Sequence, residues 1–322
     1  MISVKAARPF RKNPEAAAIG RPVGDASLPV FLFPWPVQYW NVGLGDPALD
    51  VPDLNLCKAG ASLLKGQGVN TRMDLSGKQV LITGGGGGLG RVLAADFASA
   101  GADVHIAGRS RAPLDHAMAS IPHITAHQLD VTDEATTDAL FAGIGACDIV
   151  IANAGIAESA PLHRTSLDQW QRIIAVNLTG CFLTFRAGLR ALRDSDSGWG
   201  RLIAISSIMG LAGYRYASAY SASKHGVNGL VTSVATELAG TGITANALCP
   251  GYLDTEMTAR SIATIVERTG MTPDEAGAIL ADMSPAGRLI TPAEVSRAAL
   301  SLCGPDSDAV NGQTVVVNGD GD

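Results

Sequence analysis

From Lys78 onward, apolar residues fall into short runs separated by longer segments with helical spacing. Val80-Leu81-Ile82 is such a run, and so are Val104 to Ala107, Ile149-Val150-Ile151 and Leu202 to Ile205. Thr125 to Leu129, Thr244 to Leu248 and Thr314 to Val317 read as further strands and complete a set of seven. Short continuous runs rich in Val and Ile suit strands buried on both faces. Between them, Leu89 to Ala100 reads as an Ala-rich helix stopped by Gly101. Thr132 is placed to cap the helix after the third strand, and Trp170 to Leu183 is helix-like. Strands alternating with helices predict an α/β fold, a doubly wound parallel seven-stranded sheet covered on both faces.

The pattern starts abruptly. Before Asp74 there is no clear periodicity, and Pro, Gly and aromatics (Phe31, Phe33, Trp35, Tyr39, Trp40) dominate. The division predicted is an N-terminal extension over 1–73 and a catalytic domain over 74–322. The extension is too aromatic for a plain disordered tail. It reads as an extended arm with one short helix over Leu54 to Leu64, lying on the domain or on a neighbouring subunit. A cover over the active site is the alternative.

Composition narrows the classes. The chain has 322 residues, 47% of them hydrophobic, enough for a large core. Its net charge of −6 argues against general nucleic-acid binding, which needs a basic surface. Five dispersed cysteines (Cys57, Cys147, Cys181, Cys249, Cys303) without a CxxC pair read as reduced core thiols, with no metal site and a cytoplasmic setting. No run approaches the ~20 apolar residues of a membrane span. Lys5, Arg8, Arg11, Lys12 and Arg21 leave a transit peptide open, although Pro9, Pro14 and Pro22 would break its helix.

Two segments carry chemistry. Thr83 is followed by Gly84 to Gly88, then Leu89 and Gly90, between the first strand and first helix. Glycines there permit a tight turn and let backbone N–H groups approach a pyrophosphate at a helix N-terminus. No Gly-Lys-Ser/Thr follows, so this is not a P-loop. The second strand ends without the acidic residue expected for a ribose 2′-hydroxyl; Arg109 and Ser110 stand there instead. A guanidinium grips a 2′-phosphate, which favours NADP(H) over NAD(H). The second segment is Tyr220-Ser221-Ala222-Ser223-Lys224. Tyr and Lys four apart share a helix face, and an ammonium beside a phenol should lower its pKa toward working pH. Ser206 and Ser207 end the fifth strand, where such sheets present their ligand crevice. Asn177 offers a buried amide.

These residues resemble the short-chain dehydrogenase/reductase family, over Asp74 to the C-terminus. Thr83, Gly84, Gly88, Leu89 and Gly90 match its TGxxxGxG loop, and Asp130-Val131 the pair that contacts adenine. Ala152-Asn153-Ala154-Gly155 is similar to its NNAG motif without the first Asn. Asn177, Ser207, Tyr220 and Lys224 match its catalytic tetrad; Ser207 is preferred to Ser206 by its spacing from Tyr220. Pro250-Gly251 and Thr255 match the PG motif and the threonine near the nicotinamide. The resemblance implies a Rossmann fold and a homotetramer or homodimer. In the mechanism it implies, Ser207 holds the substrate oxygen, Tyr220 transfers the proton, Lys224 holds the ribose and Asn177 holds a water linking Lys224 to solvent.

The segment 252–292 should carry the substrate lid, with one helix over Glu256 to Arg268 and another, capped by Thr272, over Asp274 to Met283. It resembles lids of family members acting on 3-hydroxyacyl compounds. Ile208, Met209, Leu211 and Tyr214 are candidate pocket residues, and Arg260 or Arg268 could meet a carboxylate or a CoA phosphate. The function expected is NADPH-dependent reduction of a 3-oxoacyl thioester or similar ketone. Oxidation of a cyclic or aromatic secondary alcohol with NAD(P)+ is the alternative within the class; a catalytically silent NADP sensor or scaffold is the alternative outside it.

Overall fold

The computed structural model describes residues 73–319 except Asp196. The expected arm and its helix over Leu54 to Leu64 lie outside the described residues. Seven parallel strands form one sheet: β1 (Gln79–Thr83), β2 (Asp103–Gly108), β3 (Ile124–Gln128), β4 (Ile149–Ala152), β5 (Gly200–Ile205), β6 (Ile243–Pro250) and β7 (Thr314–Val317). Their order is β3-β2-β1-β4-β5-β6-β7. The doubly wound sheet expected from the pattern is the sheet observed.

Alternation along each strand feeds two cores. Val80, Ile82, Ile149, Ile151, Ile203 and Ile205 point to one face. There they meet Leu93 and Phe97 of α1 (Gly88–Ser99), Leu114 of α2 (Arg111–Ser120) and Val295 of α9 (Pro292–Ser301). Leu81, Val150, Leu202 and Ala204 point the other way. They meet Phe141 of α3 (Glu134–Ile144), Phe185 of α5 (Gly180–Arg193) and Val231 of α6 (Ser218–Glu237). Each large apolar side chain buried this way contributes about 1.5–3 kcal/mol.

The sheet reverses its direction of growth between β1 and β4, and their C-terminal ends open a crevice there. Gly84, Asn153 and Ser207 follow the C-terminal ends of β1, β4 and β5 at that edge of the sheet.

Two expectations need correction. The cap of α3 is Asp133, whose carboxylate accepts from the N–H of Thr136 at 3.1 Å. Thr132 instead donates through its hydroxyl to Asp130 at 2.8 Å, because Asp130 closes a local turn with it first. The second concerns length. Helix α4 (Leu167–Ile174), a π turn (Ala175–Thr179) and α5 join into one helical stretch long and apolar enough to cross a bilayer, although its apolar residues are not consecutive. More than half of that window is buried inside the protein, so it is a core helix.

Candidate active site

The glycine loop divides its labour by residue. Gly84 and Gly88 have φ of +68° and +50°, where a side chain would be strained. A Cβ at Gly90 would lie 2.2 Å from the Gly84 carbonyl oxygen, and one at Gly85 would lie 2.6 Å from Ile106 Cβ. These two glycines let α1 close onto the strand ends. Gly87 has no atom within 4 Å of where a Cβ would stand, and Gly88 meets only Thr255, at 3.8 Å. An open cradle therefore faces the N-terminus of α1, the arrangement a pyrophosphate fits.

Asn153 fixes this loop. Its Nδ2 donates to the Thr83 carbonyl at 2.8 Å and to that of Gly84 at 3.3 Å. Thr83 Oγ1 accepts from the backbone N–H groups of Asn153 and Ala154, both at 3.1 Å. The strand ends on either side of the crevice are thus tied to each other.

The outer end of the crevice is a cavity of 280 Å³ lined by Arg109, Gln128, Leu129, Asp130, Asp133 and Thr136. Arg109 and Ser110 are exposed beside it, and Arg109 makes no ion pair among the described residues. Asp130 accepts from the N–H of Thr132, which chiefly holds its carboxyl below the ordinary value; the Arg109 charge adds to this. Val131, next to it, is buried, with its methyl 2.7 Å from where a Cβ at Gly180 would stand.

The central cluster gathers the tetrad. Ser207 follows β5 and caps the short turn Ile208–Gly210; its hydroxyl accepts from Met209 N–H at 3.1 Å and faces the phenol of Tyr220. Ser206 is turned away, donating to the Lys224 carbonyl at 3.3 Å. Lys224, 4% exposed, donates from Nζ to the Ile205 carbonyl at 2.7 Å and lies 5.6 Å from the Tyr220 ring centroid. Asn177 sits in the π turn and clamps its surroundings. Its Oδ1 accepts from Ile156 N–H at 2.8 Å; its Nδ2 donates to Ile156 O and to Ser223 Oγ, both at 3.0 Å. Ser223 Oγ in turn donates to the Tyr220 carbonyl at 2.7 Å. A Cβ at Gly155 would stand 3.4 Å from Asn177 Oδ1 and 3.7 Å from Lys224 Nζ, wedged between them.

The expectation that Lys224 lowers the Tyr220 pKa is overturned in this arrangement. Burial pushes the phenol up to about 12, against the opposing effect of the Ser207 hydrogen bond. Burial also pulls the Lys224 ammonium down to about 8. The ammonium is spent on the Ile205 carbonyl, so desolvation outweighs attraction. Tyr220 is thereby held as a neutral phenol, a proton donor.

The lid root closes the inner side. Pro250 ends β6, and Gly251 N–H donates to Val317 O at 3.0 Å. Ile290 N–H donates to Tyr252 O at 2.8 Å, and Asp254 N–H to Ile290 O at 2.9 Å, pinning both ends of the lid together. The lid helices are α7 (Glu256–Thr269), beginning after Thr255, and α8 (Pro273–Asp282). Thr272 caps α8 in a reciprocal box with Glu275. Ile208 and Met209 lie on the short turn after Ser207, half-buried like Leu211 and Tyr214 just beyond.

Three contributors escaped the sequence reading. Thr83 acts through its hydroxyl, not only as the residue before the glycines. Ser223 lies three after Tyr220 on the same helix face, a spacing that could have flagged it. Tyr252 joins Tyr214 and Tyr220 in a group of phenols; burial raises Tyr252, and the nearby Tyr214 adds to it. Its position after Pro250-Gly251 was the only signal.

The family model for short chain dehydrogenases matches residues 78–265. The 3-oxoacyl-acyl-carrier-protein reductase FabG of Vibrio harveyi is 34% identical over 256 residues, covering 77% of this chain and 98% of the relative. The cis-4-hydroxycyclohexanecarboxylate dehydrogenase of Sinomonas cyclohexanicum is 36% identical over 247 residues, covering 74% of this chain and 94% of the relative. Among solved structures, a variant of actinorhodin polyketide ketoreductase with NADPH superposes with a TM-score of 0.72 at 30% identity, covering 75% of this chain and 96% of that one.

Proposed function

The chain belongs to the short-chain dehydrogenase family, an oxidoreductase acting on CH–OH and C=O groups, and from that membership we propose that it uses NADPH to reduce the ketone of a 3-oxoacyl thioester. The observation that carries the chemistry is the buried, neutral Tyr220 phenol beside Ser207, with Lys224 on its face. NADP is supported by the unpaired Arg109 at the mouth of the outer cavity. The thioester is supported by the similarity to the Vibrio harveyi reductase.

In this reading the glycine cradle, Asn153, Pro250, Gly251 and Thr255 hold the dinucleotide, which supplies a hydride when bound. Gly155 keeps Lys224 free to reach the ribose. Ser207 donates to the ketone oxygen and orients it. Tyr220 gives its phenolic proton to that oxygen as the carbon is reduced, and Lys224, protonated below about pH 8, stabilises the phenolate left behind. Asn177 Oδ1 keeps one lone pair for a water that returns the proton past Lys224. Holding both reactants in one crevice replaces a bimolecular encounter by an oriented step. The lid makes the pocket from 252–292.

Assembly into a homodimer or homotetramer is supported by Leu167, Trp170 and Phe182, exposed along the helical stretch that carries Asn177. Among the described residues, four buried free thiols support a reducing, cytoplasmic setting. The competing reading, oxidation of a cyclic secondary alcohol, is favoured by the similarity to the Sinomonas enzyme.

The test follows NADPH and NADH oxidation with 3-oxoacyl thioesters, β-ketoesters and cyclic ketones. Turnover with NADPH and a thioester is expected, falling at least about a hundredfold in Tyr220→Phe with NADPH binding retained. Preference for cyclic substrates supports the competing reading. No turnover in either direction despite tight NADPH binding would leave a sensor or scaffold.

A further inference from the structure

Three segments leave the catalytic cluster and meet again at the rim of the pocket. The first runs from Gly155 to a loop over 158–164. The second, Tyr214 to Ala217, leads into α6 and Tyr220. The third is the far end of α7, which begins beside Thr255. Two hydrogen bonds to backbone carbonyls join them: Ala160 N–H donates to Tyr216 O at 2.9 Å, and Arg268 Nη1 donates to Ser159 O at 3.4 Å. Tyr216 is held at φ +64°, a conformation that a bulky residue keeps only where its surroundings impose it.

That junction is basic, in a protein whose net charge is −6. Arg215 lies over the Tyr216 ring, 5.6 Å from its centroid. Arg215, Arg268 and Arg164 are exposed, and none is ion-paired among the described residues. The nearest carboxylate in the loop, Glu158, is already taken bidentately by Arg172, at 2.9 and 2.8 Å. Arg260, on the same lid helix, takes no part in the junction. An arginine in the last turn of α7 also complements the helix dipole, but that role needs no partner from the other two segments. From Thr255 to Arg268 the lid helix spans roughly 20 Å, so its Arg268 end stands well away from Thr255, while Arg215 lies five residues before Tyr220. Apolar Leu162, 72% exposed, sits on the same loop.

We propose that Arg215 and Arg268, with Arg164 on the loop that carries Ser159, bind the phosphate of a phosphopantetheine arm whose 3-oxoacyl thioester lies at Tyr220. The proposal rests on the thioester reading. The recognised group is a phosphate monoester or diphosphate, present both in coenzyme A and in a carrier-protein prosthetic group. Planar guanidiniums suit its oxygens, and the length of lid helix between Thr255 and Arg268 leaves room for a flexible arm.

Steady-state kinetics test it with acetoacetyl-CoA, acetoacetyl-pantetheine 4′-phosphate, acetoacetyl-pantetheine without phosphate and an acetoacetyl carrier protein. In Arg215→Ala/Arg268→Ala, KM for every phosphate-bearing thioester should rise roughly tenfold or more. The value of kcat should hold, and acetoacetyl-pantetheine should be unaffected. Arg→Lys at both positions should restore part of the loss, and added salt should raise KM for the charged substrates only. An equal loss on the phosphate-free thioester would overturn the proposal. So would an effect confined to the carrier protein, which would mean that the rim reads the carrier surface. Wild-type turnover of a cyclic alcohol but of no thioester would fell the thioester reading itself, and this proposal with it.

Discussion

Lys224 concentrates the conflict between chemistry and stability. It is 4% exposed, with its ammonium pulled from 10.5 to about 8 by burial. The unfolded chain keeps that proton up to about pH 10.5, whereas the native protein releases it near 8. Between these values the unfolded state binds more protons, so stability rises with pH. Tyr220 acts oppositely: its phenol, raised from 10 to about 12, contributes stability that is whole below pH 10 and lost as pH climbs through 12. Buried thiols raised above 9, such as Cys147 and Cys303, also oppose the lysine, but do so equally in a lysine variant, since neither owes its shift to Lys224. The urea midpoint of the wild type minus that of Lys224→Met should therefore increase from pH 8 to pH 10, by on the order of 2 kcal/mol once converted to free energy. A flat difference would mean that the lysine is solvated. At the other end of the crevice, Arg109→Ala should raise KM for NADPH about ten- to a hundredfold and leave NADH nearly unchanged. Equal effects on both cofactors would remove Arg109 from the phosphate. Arg109 stands out in the sequence because an arginine occupies the place of an expected carboxylate; its role at the phosphate is what this measurement tests. The Tyr220 shift was not legible there, because helix spacing places Lys224 near the phenol but says nothing of the Ile205 carbonyl that claims it.

At the scale of elements, the strands were legible because a parallel sheet covered on both faces demands unbroken apolar runs, as at Val80-Leu81-Ile82 and Ile149-Val150-Ile151. Caps were read less well. Thr132 and Asp133 are both competent, and only the prior bond between Thr132 and Asp130 decides between them. The π turn at Ala175–Thr179 left no sequence signal, because its residue types are those of any buried helix. Yet that turn sets Asn177 where it ties the loop at Ile156 to Ser223, and through Ser223 to the carbonyl of Tyr220. Asn177→Ala would strip partners from Ile156 N–H, Ile156 O and Ser223 Oγ at a site 2% exposed. Leaving such groups unsatisfied costs about 1–3 kcal/mol. The expected result is a lower urea midpoint together with a fall in kcat, since Tyr220 loses its brace. An unchanged midpoint would mean that water replaces the amide.

For the whole molecule, the two relatives are spanned over 94% and 98% of their length by about three quarters of this chain. The family model begins at Lys78. We propose that the segment before Asp74 is an addition to a catalytic domain that needs none of it for hydride transfer. The described structure gives the cut its place. Met73 packs against the first core, its Cε 3.1 Å from where a Cβ would stand at Gly304, and Leu75 is buried beside it. A chain running from Met73 to the C-terminus therefore keeps every core contact described here. It should unfold cooperatively, bind NADPH and retain both kcat and KM with the best substrate. Sedimentation run beside the kinetics separates the two roles left for the extension. Fewer subunits per particle with unaltered kinetics assigns it to assembly. An unaltered number of subunits with a raised KM would place it over the pocket, because a cover that touches substrate changes binding without changing how many copies associate.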